Sequence, residues 1–247
     1  MATQYDALGA EYNTVEQLPI RTLELAAVRA HVGDVHGLEV LDLACGTGRY
    51  TRKLIEWGAK TVVGVDISQA MVDEARRECA RACEGRVDFR VTDCAKPGLD
   101  VGKFDLVLAS WFLDYARNEE EMFNMWTNIA RSLKPGGRCV GITVNLGMLE
   151  TGLPSKPTFG ISLKQLERVV GGLKLDVRVH SFPEFSFESY MLERGICERS
   201  AQRAGIRDLE WMPPVDPEDP SIEFPRFVEY PHFWAFTCRG GGAWDDV

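Results

Sequence analysis

Short apolar stretches and longer amphipathic stretches alternate along the chain from residue 39 to residue 145. The apolar stretches suit strands buried on both faces, and the amphipathic stretches have the spacing of helices with one apolar face. The predicted strands are EVLDL (39–43), TVVGVD (61–66), VDFRV (87–91), FDLVLA (104–109) and RCVGITV (138–144). The predicted helices cover about 48–57, 68–83 and 119–133, with Ser68 as the N-cap of the second. This alternation is typical of a doubly wound, mostly parallel α/β sheet with helices on both faces.

The segments that flank this block have different patterns. Residues 1–35 include an amphipathic stretch at about 19–32, which predicts a helical lid over the mouth of the sheet. Residues 146–190 lose the alternation of strand and helix, and LKLDVRVHSF alternates with period two, so we expect a small β-rich inserted cap. Within that segment, SLKQLERVVGG suits either a helix or a strand.

The C-terminal part returns to the sheet. A helix is predicted at about 189–204, followed by strands in IRDLEWM and HFWAFTCR on either side of a Pro-rich connection at 213–225. The length suits one domain. Its expected parts are a lid (1–35), a cofactor-binding core (36–145), a cap (146–190), the C-terminal part of the sheet (191–239) and a disordered tail (240–247).

The amino-acid composition indicates which classes of partner the protein is expected to bind. The net charge is −9, with 37 acidic and 28 basic residues and no basic cluster, so nucleic acid is not expected as a partner. No apolar stretch is long enough to span a membrane and the N-terminus lacks the features of a signal peptide, so we expect a soluble cytoplasmic protein.

The seven cysteines do not suggest a disulfide framework or a zinc site. Cys79 and Cys83 lie four residues apart on a predicted helix and are either metal ligands or, as we favour, small packing residues. We therefore expect no bound metal. A reducing cytosol suits this cysteine usage.

The motif VLDLACGTGRY (40–50) runs from a buried strand into a glycine-rich turn and a helix N-terminus. Gly46 and Gly48 let a ligand approach the backbone, but residue 51 is Thr where a dinucleotide fingerprint has its third glycine. Asp42 would repel a pyrophosphate and attract an ammonium group. The motif therefore favours a cofactor with an amino-acid end over a dinucleotide.

Polar residues also follow the next strands. Asp66 ends the second strand about 20 residues past the glycine turn, where a carboxylate is placed to accept hydrogen bonds from a ribose. Asp93 and Cys94 follow the third strand, within reach of an adenine amino group.

Five motifs in order resemble those of class I S-adenosylmethionine-dependent methyltransferases. They are VLDLACGTGRYTRKL, VVGVDISQAMVDEA, VTDCAKP, FDLVLASWFLDYA and LKPGGRCVGI, and they cover about 39–145. YDALGAEYN, LPIRTLE, WFLDYA and EWMPP are also similar to the toxoflavin-synthase group of small-molecule methyltransferases. The resemblance implies a seven-stranded sheet whose last strand is antiparallel, and S-adenosyl-L-methionine as the cofactor.

The resemblance also implies roles for individual residues. Asp42 would bind the methionine amine, Gly46 would lie against the cofactor and Asp66 would bind the ribose hydroxyls. The other implied contacts are Ile67 and Met71 with the adenine, Asp93 and Cys94 with the adenine edge, Ala109 after the fourth strand, and Tyr5, Tyr12 and Arg21 from the lid.

Each of these residues also has a structural alternative. Asp42 and Asp66 would then hold loop or helix amides, and Asp93 would stabilise a turn. Tyr5, Tyr12 and Met71 would serve packing, and Arg21 a surface ion pair.

The sequence gives a weaker indication of which residues contact the methyl acceptor. Trp111 and Tyr115 present surfaces on which a flat acceptor stacks, or they serve packing. Asn145 either binds the acceptor or forms a turn, and Tyr230 is a further candidate. His180 and His232 are the candidate bases, although a structural role suits each of them.

The resulting hypothesis is transfer of a methyl group to a small aromatic or heterocyclic metabolite, at nitrogen or oxygen, by a monomer or homodimer. One alternative is a protein of the same fold that binds the cofactor without methylating, or has a regulatory role. A less favoured alternative is an NAD(P)-dependent reductase, which shares the sheet and Asp66.

Overall fold

The computed structural model of the protein describes residues 3–80, 83, 85–214 and 231–240. The larger sheet contains β1 (Glu39–Leu43), β2 (Thr61–Asp66), β3 (Val87–Val91), β4 (Phe104–Ser110), β5 (Leu133–Val144), β9 (Ile206–Met212) and β10 (Phe233–Gly240). The smaller sheet contains β6 (Ile161–Val169), β7 (Gly172–Val179) and β8 (Phe185–Leu192).

The larger sheet has the order β3-β2-β1-β4-β5-β10-β9. The strands from β3 to β5 pair in parallel, and β10 runs antiparallel to both of its neighbours. This is the predicted seven-stranded, mostly parallel sheet with an antiparallel strand. Because β1 lies between β2 and β4, the strand order reverses there, and ligands in such sheets bind beyond the carboxyl ends of the strands at that point.

The described helices cover both faces of the larger sheet. They are α1 (Pro19–Val32), α2 (Arg49–Glu56), α3 (Gln69–Cys79), α4 (Glu119–Ser132), α5 (Met148–Thr151) and α6 (Arg194–Arg203), with 3₁₀ helices at Gly9–Gln17 and Leu113–Tyr115. The side chain of Ser68 accepts a hydrogen bond from the Met71 amide, so it caps α3 as predicted. Cys79 and Cys83 pack in an apolar cluster beside α3.

The side chains of β1 pack alternately in two core clusters, which shows that both faces of this strand are buried. Val40 packs in a core cluster with residues of α1 and α2, whereas Leu41 and Leu43 pack in the cluster on the opposite face with residues of α4 and α6. Successive side chains in a strand point to opposite faces, so a strand covered on both sides has to be apolar throughout. Asp42 is a polar residue that is nevertheless buried in β1, whereas Glu39 at the start of the strand is half-buried.

The N-terminal segment connects the sheet to the cap. The Asp6 carboxylate accepts a hydrogen bond from Ser68 Oγ at 2.6 Å, which holds the segment on the start of α3. Gln4 exchanges two hydrogen bonds with the backbone of Glu188 in β8, at 2.8 and 2.9 Å. The predicted lid therefore contacts both the core and the smaller sheet.

Several predicted boundaries were wrong. The ambiguous SLKQLERVVGG segment is strand β6 and its turn, and residues 189–192 complete β8 rather than begin a helix, which starts at Arg194. Pairing within the smaller sheet overrides the local helical pattern. The helix predicted for 68–83 ends at Cys79, and β5 begins at Leu133, before the predicted 138. The division into lid, core and cap stays a prediction, and most of the Pro-rich connection at 213–225 and of the predicted tail lies outside the described residues.

Candidate active site

A cavity of about 560 Å³ lies beyond the carboxyl ends of β1, β2 and β4, beside the N-terminal segment. The structure brings ten of the eleven residues predicted to bind the cofactor to its wall. They are Tyr5, Tyr12, Arg21, Asp42, Gly46, Asp66, Ile67, Met71, Asp93 and Cys94. We call this space the large cavity.

The two glycines of the turn after β1 have different surroundings. Both have positive φ angles, +54° at Gly46 and +76° at Gly48, which L side chains rarely adopt. A Cβ added at Gly48 would meet Ala75 Cβ at 3.0 Å, so this glycine allows α2 to approach α3. A Cβ added at Gly46 would meet no described atom within 4 Å. The space above Gly46 is part of the large cavity, where a ligand can lie against the backbone.

Asp42 is a buried carboxylate in the wall of the large cavity. Its Oδ2 accepts a hydrogen bond from Thr51 Oγ1 at 2.6 Å. Burial raises the pKa of Asp42 to about 7, and the nearby Asp66 carboxylate adds to the rise. No described Lys or Arg forms an ion pair with Asp42. A positively charged ligand group would therefore lower the cost of ionising it.

Asp66 holds the glycine turn in place. One carboxylate oxygen accepts a hydrogen bond from the Gly46 amide and the other from the Ser68 amide, both at 2.9 Å. Burial raises the pKa of Asp66, although these hydrogen bonds act in the opposite direction. Each carboxylate oxygen has a further lone pair, so this structural role leaves capacity to accept hydrogen bonds from a ligand.

Two arginines that line the large cavity each have one nitrogen without a hydrogen-bond partner among the described residues, although Arg49 Nη1 lies 3.8 Å from Glu24 Oε2. Arg21 contacts Glu24 and Glu16 through its two Nη atoms, and Arg49 Nε lies 2.6 Å from Glu16. Arg21 Nε and Arg49 Nη1 are buried and have no hydrogen-bond partner among the described residues. Buried donors are rarely left unpaired, so a ligand with an acceptor group is expected beside them.

The opposite end of the large cavity is more apolar. Ile67 is 44% exposed and Met71 is buried, so the Ile67 side chain offers apolar surface at the mouth. Asp93 Oδ1 accepts a hydrogen bond from the Ala95 amide, which supports its structural turn role. The Cys94 carbonyl accepts a hydrogen bond from Asn128 Nδ2 at 2.8 Å, and this fixes the loop after β3.

A smaller cavity of about 100 Å³ lies between the N-terminal segment, the smaller sheet and the ends of β4 and β5. Tyr12, Arg21, Trp111 and Tyr115 line both cavities, so the two spaces adjoin at these residues. Trp111 has a φ of 60°, a strained value for a bulky residue, which is typical of functional sites. The predicted acceptor contacts Trp111 and Tyr115 thus lie between the two spaces.

An aromatic cluster closes the smaller cavity on the lid side. The Tyr5 and Tyr115 hydroxyls are hydrogen-bonded to each other, and the Tyr5 ring meets the Tyr12 ring edge-on at 5.9 Å. Phe187 of β8 lies 5.7 Å from Tyr5 and 6.4 Å from Tyr12. Burial raises the pKa of both Tyr5 and Tyr12, so both hydroxyls stay protonated at neutral pH.

The two candidate bases have different positions. His232 lines the smaller cavity, and burial lowers its pKa, so the ring is neutral at pH 7. His180 lines neither cavity, because Ser162 Oγ and Glu184 Oε1 engage its two ring nitrogens at 2.9 and 3.0 Å. The structure therefore gives His180 a structural role in the cap.

The structure places two further predicted residues outside both cavities. Asn145 lines neither cavity, because its side chain bonds the Pro231 carbonyl and the Gly147 amide, the turn role left open above. Ala109 is fully buried inside β4, which extends to Ser110, and Ser110 lines the large cavity instead. Tyr230 lies outside the described residues.

Comparisons with known proteins agree with this architecture. Residues 40–137 match the family model described as a methyltransferase domain. The chain is 29% identical over 160 residues to a demethylmenaquinone methyltransferase of Lactococcus lactis, covering 63% of this chain and 60% of the relative. It is 33% identical over 145 residues to the nocamycin O-methyltransferase of Saccharothrix syringae, covering 58% and 48%. These alignments span less than two thirds of each relative.

A solved structure is similar over nearly the whole chain. The S-adenosylmethionine-dependent methyltransferase of Clostridium acetobutylicum has a TM-score of 0.67 at 17% identity, covering 94% of this chain and 98% of that one. Residues 40–137 therefore match a methyltransferase domain, and the chain shares the fold of class I methyltransferases. The broader resemblance seen in the sequence is thereby confirmed, whereas the narrower one, to the toxoflavin-synthase group, stays a prediction.

The side chains of this methyltransferase domain fit S-adenosylmethionine. Asp42 suits the ammonium group of the cofactor, and the unpaired Arg21 and Arg49 nitrogens suit its carboxylate. Asp66 suits the ribose hydroxyls, and Ile67 with Met71 suits the adenine ring. These assignments remain predictions.

Several residues that line the two cavities were not predicted from the sequence. They are Glu24, Arg49, Tyr50, Ser110 and Asp114. Arg49 and Tyr50 directly follow the glycine turn, a position that signals proximity to a ligand. Asp114 interrupts the apolar stretch after β4, which was a usable signal. Glu24 lies within α1, and no sequence signal pointed to its position in the cavity wall.

The described residues lack two kinds of feature. None of their helices is long and apolar enough to cross a membrane. Within the same ranges, no group of three or more His, Cys, Asp or Glu side chains is placed to hold a metal ion.

Proposed function

We propose that this protein transfers the methyl group of S-adenosylmethionine to a small acceptor bound in the smaller cavity. The observation that carries the proposal is the charge pattern beside the glycine turn. The Asp42 carboxylate lacks a cationic partner among the described residues, and the same cavity holds the unpaired donors of Arg21 and Arg49. An amino-acid group, which carries one ammonium and one carboxylate, complements this pattern.

The relatives support the proposal. The Clostridium acetobutylicum protein with the same fold is described as S-adenosylmethionine-dependent. The two curated relatives are named for methylating demethylmenaquinone and nocamycin, which are small molecules. We therefore propose a small metabolite as the acceptor, with an aromatic or heterocyclic ring that stacks on the Trp111 and Tyr115 side chains.

The protein contributes to the reaction by aligning the acceptor with the methyl group and by excluding water. The cofactor supplies a methyl group already activated on a sulfonium, so the protein has to place the acceptor atom in line with the breaking bond. Trp111, Tyr115 and Tyr12 form the wall shared by the two cavities. The aromatic rings of Tyr5, Tyr12 and Phe187 cover this wall and limit access of water.

We further propose that the protein acts in the cytoplasm as a monomer or homodimer and does not bind nucleic acid. The net charge of −9 supports the last point, because a nucleic-acid groove requires a local excess of positive charge.

A direct test is to incubate the protein with methyl-labelled S-adenosylmethionine and a panel of small aromatic amines, phenols and heterocycles. Mass spectrometry should detect a mass gain of one methyl group on at least one of them. Cofactor binding without transfer to any acceptor would instead favour the non-methylating alternative.

The affinity for S-adenosylhomocysteine is expected to depend on pH. The free protein has an Asp42 pKa of about 7, and the ligand ammonium binds the ionised carboxylate. Below pH 7 binding must therefore release a proton, so we expect affinity about tenfold weaker at pH 6 than at pH 8. Calorimetry at both pH values measures this. Asp42→Asn is the control and should remove most of the dependence, whereas an equal slope in that variant would contradict the assignment.

A further inference from the structure

Asp114 is a buried carboxylate with one oxygen that no described residue uses. It belongs to the 3₁₀ helix Leu113–Tyr115 and is 5% exposed. Its Oδ1 accepts hydrogen bonds from Thr143 Oγ1 at 2.5 Å and from the Val144 amide at 3.2 Å. Its Oδ2 is buried and has no hydrogen-bond partner among the described residues.

Asp114 lines the smaller cavity next to Tyr115, which lines both cavities. Its neighbours in sequence, Leu113 and Tyr115, are buried or half-buried, and Tyr115 belongs to the shared wall. If Asp114 had only a structural role, Oδ1 would suffice, because this oxygen already accepts the hydrogen bonds from Thr143 and Val144 at the end of β5. Asp114 lines this cavity, and Oδ2 is its carboxylate oxygen without a hydrogen-bond partner among the described residues.

The other charged groups near this cavity largely balance one another. Arg21 is paired with Glu16 and Glu24, and Arg49 also contacts both carboxylates. Of the remaining titratable groups that face or approach Asp114, the thiol of Cys197 and the hydroxyl of Tyr115 have raised pKa values and stay neutral, as does His232 with its lowered pKa. Asp114 thus supplies the unbalanced charge.

We infer that the smaller cavity takes an amine as the methyl acceptor, with an N–H bond donated to Asp114 Oδ2. This inference rests on the proposed function and specifies its substrate class. The aromatic rings of Tyr12, Trp111, Tyr115 and Phe187 line the same space and favour a cation through their π faces.

Nitrogen attacks only as a neutral amine, so an amine that enters as an ammonium first releases one proton to solvent, and the transfer step itself then needs no base. The lone pair of a neutral amine forms the new N–C bond while the S–C bond breaks and sulfur keeps its electron pair. The product is an ammonium that retains its proton and carries it away on release. Asp114 binds the N–H group and balances the positive charge that develops on nitrogen.

Other acceptor classes suit this cavity less well. A phenol has to lose its proton before or during transfer, and the resulting phenolate would be repelled by the Asp114 carboxylate. A carboxylate acceptor would meet the same repulsion from the outset. Burial raises the pKa of Asp114 to about 7, so this repulsion applies fully above pH 7.

The test uses three probes with the same ring: benzylamine, benzyl alcohol and benzoate. Their affinities are measured by calorimetry at pH 8 with the protein saturated by S-adenosylhomocysteine. A hydrogen bond to a charged group should give benzylamine an advantage of about tenfold or more over benzyl alcohol. Asp114→Asn should reduce this advantage to about twofold while leaving the affinity for S-adenosylhomocysteine unchanged.

Asp73→Asn, an exposed carboxylate of α3, is the matched control and should keep the full preference. Asp114→Asn retains the oxygen that accepts from Thr143, so a purely structural role would leave the amine preference intact. Should that variant fail to fold, wild-type protein gives a second readout, because the preference should shrink below pH 7 as Asp114 is protonated.

The outcomes separate the two proposals. Benzylamine that binds no better than benzyl alcohol, or no better in wild type than in Asp114→Asn, overturns the inference about the acceptor. Wild-type protein that fails to bind S-adenosylhomocysteine overturns the proposed function itself.

Discussion

Replacing Asp42 by Asn is expected to weaken the binding of S-adenosylhomocysteine by about 10- to 100-fold. The substitution keeps the volume and an oxygen that accepts from Thr51, but it removes the charge that pairs with the ligand ammonium. Hydrogen bonds to charged groups contribute about 1.5–3 kcal/mol, which sets this range. Calorimetry on the wild type and the variant at pH 8 measures the change.

The same substitution should stabilise the ligand-free protein above pH 7. The pKa of Asp42 is about 7 in the fold, whereas that of an unperturbed Asp side chain is 3.8, so the folded state keeps a proton that the unfolded state releases between these pH values. The carboxylate therefore destabilises the fold increasingly as pH rises from about 4 to 7, and the loss is complete above 7. An Asn side chain does not ionise and avoids this cost.

Opposite changes in affinity and stability distinguish a binding role from general damage. Asp105→Asn is the matched control, because Asp105 is at the start of β4, at the opposite edge of the sheet, where it pairs with Lys134. It should leave the affinity unchanged. An Asp42→Asn variant that binds as tightly as wild type would show that Asp42 only holds Thr51.

Replacing Gly46 by Val is expected to abolish measurable binding, with an affinity loss of about 100-fold or more. The φ of +54° at Gly46 is strained for any L residue and most of all for a β-branched one. Since no described atom lies within 4 Å of an added Cβ, the new side chain would occupy the space left for the ligand. The backbone strain costs about 1–3 kcal/mol of folding stability.

Gly136→Val separates these two effects. Gly136 has a φ of +79° and equally open space around an added Cβ, but it lies near the start of β5, at the edge opposite the cavities. It should show a comparable loss in thermal midpoint with unchanged affinity. Equal loss of binding in both variants would mean that strain, rather than occupation of the cavity, explains the Gly46 result.

Much of the large cavity was predictable from sequence because its residues follow directly from the strands. Asp42, Gly46 and Asp66 are in or next to β1 and β2, whose apolar patterns are clear, and parallel strands bring their carboxyl ends to one edge. Ala109 was misplaced by a single residue, because β4 continues to Ser110. An error of one residue at a strand end decides which side chain faces the ligand.

The smaller cavity was much less predictable because it is built by packing between distant segments. Glu24 of α1, Asp114 after β4 and Ser189 of β8 meet there although more than seventy residues separate each from the next. The cap supplies one wall, and its β6 strand had no clear periodicity. His180 is an example of a side chain whose contacts could not be predicted from the sequence, since its hydrogen bond with Ser162 depends on the register between β6 and β7.

The structure also changes the interpretation of Arg21. Sequence patterns placed it in the lid, facing either a ligand carboxylate or a surface ion pair. It is buried and its two Nη atoms are bound by Glu16 and Glu24, so Nε is its nitrogen without a hydrogen-bond partner among the described residues. Burial opposes its charge, yet the two glutamates outweigh this effect and raise its pKa. We also propose Arg49, whose Nη1 has no hydrogen-bond partner among the described residues, as a partner for the carboxylate of the cofactor.

The central claim is that the large cavity binds a cofactor with an amino-acid end rather than a dinucleotide. The most direct measurement is the thermal stabilisation of the wild-type protein by S-adenosylhomocysteine compared with NADH and NADPH. A ligand at 100 times its dissociation constant stabilises the fold by about 2.7 kcal/mol, which shifts the thermal midpoint measurably. We predict a shift with S-adenosylhomocysteine alone. A shift with either nicotinamide, or none with any of the three, would contradict the account.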